Sequence, residues 1–363
     1  AALQNVDGFD IPLPVQQLLA AGDGPVNAVD PNFEIPSSWK YNLSLVRKFD
    51  LGALGDDWRV QTDLIYTKVK DAVLWRDIRR APTGTTPDGR PIYSVLPGDT
   101  RGASTQDLLL TTTSEGGGFV GTLDISKTWR TDAGRFDVSI GYGYQNVDDV
   151  NSGTSSTASS NWDNLATADI NDPSLARTNY EIKHRFPLTL SWKKAFFADA
   201  ETAVGLFVER RSGQPYSYTF GNGSALFGDP RQASRQRQLF YVPRDQNDVV
   251  LAGGLTWQAL DAYVVANGLD KYRGEIAPRN AFFSRWTTIA DMRISQEIPA
   301  FWRDAKGIVS VDIENIANLI NSDWGRIEQV GFPYVAPVVN ASGVVAGKYQ
   351  YSPISGQTGP RDV

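Results

Sequence analysis

The sequence predicts an all-β chain built as about ten strands of an antiparallel transmembrane β-barrel, with long loops at one end and short turns at the other. Three observations carry this. Segments of about ten residues alternate apolar and polar with period two, the connections between them alternate in length, and aromatic residues gather near both ends of the segments.

The alternation is clearest from Phe136, where Phe136, Val138, Ile140, Tyr142 and Tyr144 interleave with Asp137, Ser139, Gly141, Gly143 and Gln145. A strand points successive side chains to opposite faces, so this is one greasy face and one wet one. Trp58, Val60, Thr62, Leu64 and Tyr66 alternate with Arg59, Gln61, Asp63, Ile65 and Thr67, with Ile65 the single exception. Phe119, Gly121, Leu123 and Ile125 oppose Thr122, Asp124 and Ser126; Phe186, Leu188, Leu190 and Trp192 oppose Arg185, Thr189, Ser191 and Lys193. By this test strands are expected near 39–49, 58–69, 119–129, 136–146, 185–193, 202–210, 286–295, 307–314, 324–331 and 347–352. Short turns fall at Asp50–Asp57, Arg130–Arg135, Lys194–Glu201 and Glu297–Lys306, and long loops at Lys70–Gly118, Val147–His184 and Arg211–Arg285. A sandwich has no reason to keep all its long loops at one end; an outer-membrane barrel does.

With strands running alternately down and up, Trp39, Tyr66, Phe119, Tyr142, Phe186 and Trp286 form an outer ring, and Phe49, Trp58, Trp129, Phe136 and Trp192 an inner one. Phe119 and Trp129 lie ten residues apart. That is about 33 Å of strand, or about 25 Å of height after a tilt of about 40°, the thickness of the apolar band. Soluble sandwiches and carbohydrate-binding modules also alternate. Their cores, however, do not hold charges such as Lys40, Arg59, Asp63, Asp124, Arg185, Asp291, Arg293, Asp312 and Glu314, which suit a water-filled lumen.

Composition agrees. The 363 residues include 10 Trp, 14 Tyr and 16 Phe against one Met, one His and no Cys, at a net charge of −6. No apolar run reaches the roughly 20 residues of a membrane helix. The missing Cys excludes disulfides, thiolate catalysis and Cys-based metal centres, and the weakly acidic balance gives no footprint for nucleic acid. The stretch from Ala1 lacks a basic-plus-apolar leader, so a secretory signal is expected to have been removed or to lie outside this segment. Asn151–Asn161 and Arg231–Gln238 are polar tracts not expected to build a core, and Thr256–Leu269 reads as a short helix ended by Gly268, either a lid or a packing element.

Four stretches resemble TonB-dependent outer-membrane receptors of the Oar-like group: DPNFEIPSSWKYNLSLVRKF from Asp30, NYEIKHRFPLTLSW from Asn179, GEIAPRNAFFSRWTTIADMRISQEIPAF from Gly274, and VDIENIANLINSDWGRIEQV from Val311. The resemblance implies a 22-strand barrel of which these are strands 12 to 21, so residues 1–363 are expected to be its C-terminal half, with the N-terminal plug and the final strand absent. It implies a receptor in the outer membrane of a Gram-negative bacterium. Such a protein binds a small-molecule, saccharide or peptide ligand at its outer loops and imports it with energy delivered by the TonB complex to the plug. Lipid is its other partner; no cofactor, no metal and no enzymatic step are expected. A passive porin or surface adhesin with the same barrel, or a secreted carbohydrate-binding domain, would share the pattern.

Candidate ligand contacts are loop aromatics and arginines: Trp162, Tyr180, Tyr216, Tyr218, Arg231, Arg235 and Tyr241. Stacking faces and charged forks are common in binding loops. Other motifs carry less. Gly116, Gly118 and Gly121 fit a dinucleotide fingerprint by spacing but open a strand, not a helix. His184 lacks a nucleophile-elbow partner and reads as a strand-entry hydrogen bond. Asp148, Asp149, Asp163, Asp169 and Asp172 could offer oxygens to calcium, though their spacing fits no known loop and solvated charge is the simpler reading. The pairs Asp291 with Arg293 and Asp312 with Glu314 are expected to line the channel or meet the plug.

Overall fold

The computed structural model describes residues 24–102, 105–197, 199–221, 225–299, 305–354 and 359–362. It is all-β, and its largest sheet has eleven strands. Eight of them form an antiparallel meander in which each strand pairs with the next: β1 (Ser37–Phe49), β2 (Trp58–Asp77), β3 (Gly117–Thr131), β4 (Gly134–Asp149), β5 (His184–Phe197), β6 (Ala200–Arg211), β7 (Thr287–Pro299) and β8 (Lys306–Ile313). The outermost strands β1 and β8 each pair on one side only among the described residues, so this wall is open.

Register explains the alternation in the sequence. Leu45 pairs with Thr62, Thr62 with Leu123, Leu123 with Tyr142, Ile140 with Leu188, Leu190 with Leu206, Leu206 with Met292 and Met292 with Ile313, which puts one apolar face across all eight strands. Lys40, Asp63, Asp124, Arg185, Asp291, Arg293 and Asp312 fall on the opposite face by the same register. The expected aromatic rows lie on the apolar face. At the loop end Tyr41 contacts Tyr66, Phe119 contacts Tyr144, Tyr142 contacts Phe186 at 4.8 Å, and Phe186 contacts Trp286. At the turn end Trp58 meets Trp129 edge-on at 5.6 Å. Its indole N–H donates to the Leu54 carbonyl, as that of Trp192 does to Ala133, so each ring keeps its polar tip in a turn.

β2 runs well past the expected end at residue 69, to Asp77. Leu108–Thr113 pairs with Ala72–Asp77 in the register that Gly117 then continues with Lys68, so this segment and β3 are one line interrupted at Ser114–Gly116. The interruption needs glycine: Gly117 has φ of 149°, and a Cβ there would sit 2.5 Å from the Thr67 carbonyl oxygen.

At the loop end the long connections fold on one another into a cap. Its five-stranded sheet runs Val250–Leu251, Lys348–Ser352, Val335–Val345, Pro215–Phe220, Phe282–Phe283, with both parallel and antiparallel pairs. Tyr218, Phe220, Phe227, Phe240, Val242, Tyr349 and Tyr351 form its buried centre. The predicted helix is present as Trp257–Ala266. Thr256 caps its start by accepting from the Ala259 N–H. At its end Leu269 donates to Val264 and Gly268, at φ of 66°, donates to Val265. Leu260 and Val264 are buried in the cap, so the helix is a packing element.

Two expected strands are not in the wall, which therefore has eight described strands and not ten. After β8, Asn315 turns left-handed and Ile316–Leu319 coils into a 3-10 turn, and within 324–331 only Glu328–Gln329 is extended. Within 347–352 a strand does form, Lys348–Ser352, but it is hairpinned to Val335–Val345 and buries Tyr349 and Tyr351 in the cap. Alternating aromatics satisfy a cap core as well as a barrel wall.

The polar tracts agree with expectation in one respect and add another. Neither forms a core of its own, yet both are packed. Thr157 caps a helix at Ala158–Asp163 that delivers Trp162 to Tyr93, Leu108 and Ile170, while Gln232, Arg237 and Gln238 are buried by neighbours that take up their hydrogen bonds.

Candidate functional site

Of the seven candidate ligand contacts, four are core. Tyr216 and Tyr218 share a hydroxyl–hydroxyl bond of 3.0 Å, and the Tyr218 hydroxyl donates to Asn267. Tyr241 donates to Asp248 at 2.7 Å; burial first, then this carboxylate, pushes its phenol up to about 12. Trp162 is buried, its indole N–H donating to Ile170 and its ring lying 3.9 Å from the Arg237 guanidinium carbon. All four hold the cap together. Arg231 and Arg235 are half-buried on and beside the one-turn helix Gln232–Arg235, where Arg231 donates to Gln106 at 2.7 Å. Tyr180 alone keeps an open ring, 53% exposed.

Tyr180 borders a cleft of about 190 Å³ where the cap meets the polar face of the wall, with Glu181, Arg211, Ser212, Gln214 and Gln329 among its other walls. The strand ends build it. At the end of β6 the Ser212 N–H donates to the His184 carbonyl at 2.8 Å, and its hydroxyl accepts the His184 N–H at 3.1 Å, which locks the exit of β6 to the entry of β5. The next residue passes so close to Ser284 that a Cβ on Gly213 would lie 2.3 Å from the Ser284 carbonyl oxygen. That crossing fixes Gln214, whose amide reaches the Asn179 carbonyl at 3.4 Å.

The charges in the cleft are already engaged. Glu181 is buried and takes Arg177 at 2.7 Å and the Val147 N–H at 2.7 Å. Glu209, on the polar face below, lies between Arg211 at 3.6 Å and Arg185, with which it makes a short ion pair. Partial burial, with Tyr334 close by, raises the Tyr180 phenol. What the cleft offers a visitor is therefore an aromatic face, two carboxamides, a hydroxyl and the free side of a guanidinium. These bind by stacking and hydrogen bonding.

His184 is used at this same strand entry, as its position suggested. Its ring stacks on Trp286 at 5.9 Å and its Nδ1 lies 2.9 Å from the Tyr142 hydroxyl, on the apolar face. Gly118 and Gly121 lie in β3 and Gly116 immediately precedes it, so the glycine spacing opens a strand. The candidate calcium aspartates are spread out. Asp149 pairs with Arg279, Asp169 accepts from the Tyr93 hydroxyl and the Asn171 N–H, and Asp163 lies 3.1 Å from Arg231. No metal-holding group of three or more such side chains occurs among the described residues. On the wall's polar face Arg293 pairs with Asp312 at 3.5 Å, while Asp291 accepts the Asn315 N–H.

Reading the residues missed Glu181, Arg211, Ser212, Gln214 and Gln329. The signal for Arg211 and Ser212 was available, because both sit where a polar-face strand runs into a long loop. Gln329 is brought in by a segment expected to be a wall strand.

Comparison with family models, with curated proteins and with solved structures finds no match for this chain.

Proposed function

We propose that this chain is part of the wall and outer cap of an outer-membrane β-barrel receptor, one that takes up a ligand at its loop end and imports it with energy from the TonB complex. The observation that carries the reading is the wall's apolar face. It is continuous over eight strands, bounded by two aromatic rows, and uncovered: Leu43 is 66% exposed, Leu45 60% and Val311 57%. Water disfavours such a face by about 25 cal/mol per Å², whereas lipid accepts it. The long connections all lie at one end, as in a barrel with external loops and short periplasmic turns.

A saccharide-binding sandwich would cover that face with a second sheet. Among the described residues only two segments approach it, the turn around Gly52–Leu54 beside Trp58 and Trp129, and residues 321–328 beside Arg210 and Trp286 at the loop-end rim. An incoming ligand would meet the cap first and then the Tyr180 cleft, which opens toward the polar face and its charged ladder.

Fractionation tests the membrane half of the proposal. The native protein should sediment with outer membranes and require detergent for release; recovery from a soluble pool would overturn it. Uptake of the ligand should cease when TonB is deleted, and unchanged uptake would leave a passive pore or an adhesin. In the cleft, Tyr180→Ala should weaken ligand binding by about 1 kcal/mol, roughly fivefold in Kd, while the wall stays intact. Unaltered binding would move the site elsewhere on the cap.

A further inference from the structure

We infer that the loop-end rim of the apolar face carries a site for the phosphate of a membrane lipid headgroup, built from Arg210, Arg285 and Arg326 around Trp286. The inference rests on the membrane reading proposed above.

A cation on a lipid-facing surface needs a counter-charge or a route to water. The structure shows two solutions at the two ends of the wall. Lys127, on the apolar face near the turn end, is buried under the turn before β2, donates to the Asp56 carbonyl, and lies 5.8 Å from the Trp129 ring. The chain itself satisfies it. Arg210, in β6, stands opposite Thr288 and Phe186 on the same face at the loop end, 5.6 Å from the Trp286 ring. No carboxylate lies within ion-pair distance of it among the described residues.

The chain adds two further guanidiniums at this point. Past the left-handed turn at Asn315 it returns to the edge of β7, where the Gly325 N–H donates to the Thr288 carbonyl at 2.7 Å. A pocket of about 200 Å³ results, lined by Arg210, Arg285, Trp286, Thr288, Trp324 and Arg326. Glu328 and Asp323 also border it. They pair with Arg285 at 3.2 Å and Arg326 at 3.4 Å, but the two arginine side chains are 80% and 51% exposed. Such pairs contribute little and exchange readily.

Guanidiniums match phosphate oxygens with a planar fork, and indoles favour the headgroup level. The pocket is level with the loop-end aromatic row, because Trp286 belongs to that row through its contacts with Phe186 and His184. A phosphate held there would give Arg210 its missing counter-charge. It would also fix the height of the wall in the membrane.

The test uses the full-length protein in neutral detergent, titrated with phosphatidic acid, phosphatidylcholine or inorganic phosphate and read by native mass spectrometry. Phosphatidic acid should be retained in preference to phosphatidylcholine, and R210Q/R285Q/R326Q should weaken its retention by about fivefold for each guanidinium removed. R210K/R285K/R326K, which keeps the charge but not the fork, should retain the lipid less well than wild type and better than the glutamine variant. All three side chains are solvent-accessible, so heat-modified mobility on gels should match wild type and confirm folding. Equal retention of the two lipids, or full retention by the glutamine variant, overturns the site. Inorganic phosphate that binds as tightly as the lipid also overturns it, in favour of a free-anion site. A protein found soluble without detergent defeats the membrane reading itself; one that needs detergent but shows no headgroup preference defeats only this inference.

Discussion

The wall and the cap spend the same kind of residue in opposite ways. In the wall, Tyr41, Tyr66, Phe119 and Phe186 stand exposed on a sheet face that no second layer covers among the described residues. In the cap, Tyr349 and Tyr351 keep the same period but close on Phe220 and Phe240, with Phe220 ring contacts at 5.5–5.6 Å to each of the other three. Charges differ likewise. The wall's polar face holds open pairs such as Arg293 with Asp312, whereas the cap buries Arg237 with Asp229 at 2.8 Å and Arg90 with Asp88 at 2.5 Å. Buried pairs survive only when their remaining hydrogen bonds are met. Asp229 also accepts from Gln238 and the Arg231 N–H, and Asp88 from the Tyr349 hydroxyl. The wall thus depends on what surrounds it, and the cap on itself.

The largest effect that separates them is expected from deleting one ring in each. Phe220→Ala removes a fully buried side chain at the centre of the cap and should cost about 3–5 kcal/mol, seen as a lower unfolding midpoint and early proteolysis of the cap loops. Phe136→Ala, at the turn end of the wall and 37% exposed to the surroundings, should barely move either readout in detergent. Equal losses at the two sites would mean that the wall's apolar face is packed by protein after all.

A second contrast lies within the wall. Leu123→Arg puts a charge on the apolar face of β3, between the aromatic rows, and should destabilise the protein in bilayers by about 2–4 kcal/mol. Thr122→Arg, its neighbour on the polar face, should be tolerated. Refolding into vesicles along a denaturant series measures both. If Leu123→Arg proved as mild as Thr122→Arg, water and not lipid would cover that face.

These contrasts also show what could be read from the residues alone. The wall was legible because a strand with one apolar and one polar face writes that difference into every second residue. Eight strands, the turn positions and both aromatic rows followed from that. The cap was not, because Tyr349 and Tyr351 obey the same period while facing a core assembled from distant loops, through pairings such as Ser217 with Val335 and Val250 with Gln350. Aromatics on loops suggest ligand contacts, because loops face solvent. Trp162, Tyr216, Tyr218 and Tyr241 are instead the rings that let these loops fold, and only Tyr180 remained open. The helix at Trp257–Ala266 was legible for a local reason, since Thr256 and Gly268 mark its ends without help from tertiary structure.

The smallest expected effect distinguishes two carboxylates inside the cap. Burial alone would raise the carboxyl of Asp229, but Arg237 and the hydrogen bonds around it hold it below its ordinary value. Asp163 shows the reverse: burial raises it, and Arg231 offsets this only in part, because the guanidinium Nε at 3.1 Å is not aligned for a hydrogen bond. The signs follow by linkage. A lowered group stabilises the folded state fully above its unfolded value of about 4 and loses that contribution as pH falls through the lower folded value. A raised group does the opposite, so its contribution is complete at low pH and fades as pH rises through the folded value. Asp163→Asn should therefore stabilise the cap slightly at neutral pH, by less than about 1 kcal/mol because the contact with the partly exposed Arg231 is lost at the same time. Cap stability followed by tryptophan fluorescence from neutral pH into the acid range should show the variant's advantage shrinking as pH falls. A variant less stable than wild type at neutral pH would mean that the Arg231 contact outweighs the cost of burying the Asp163 charge.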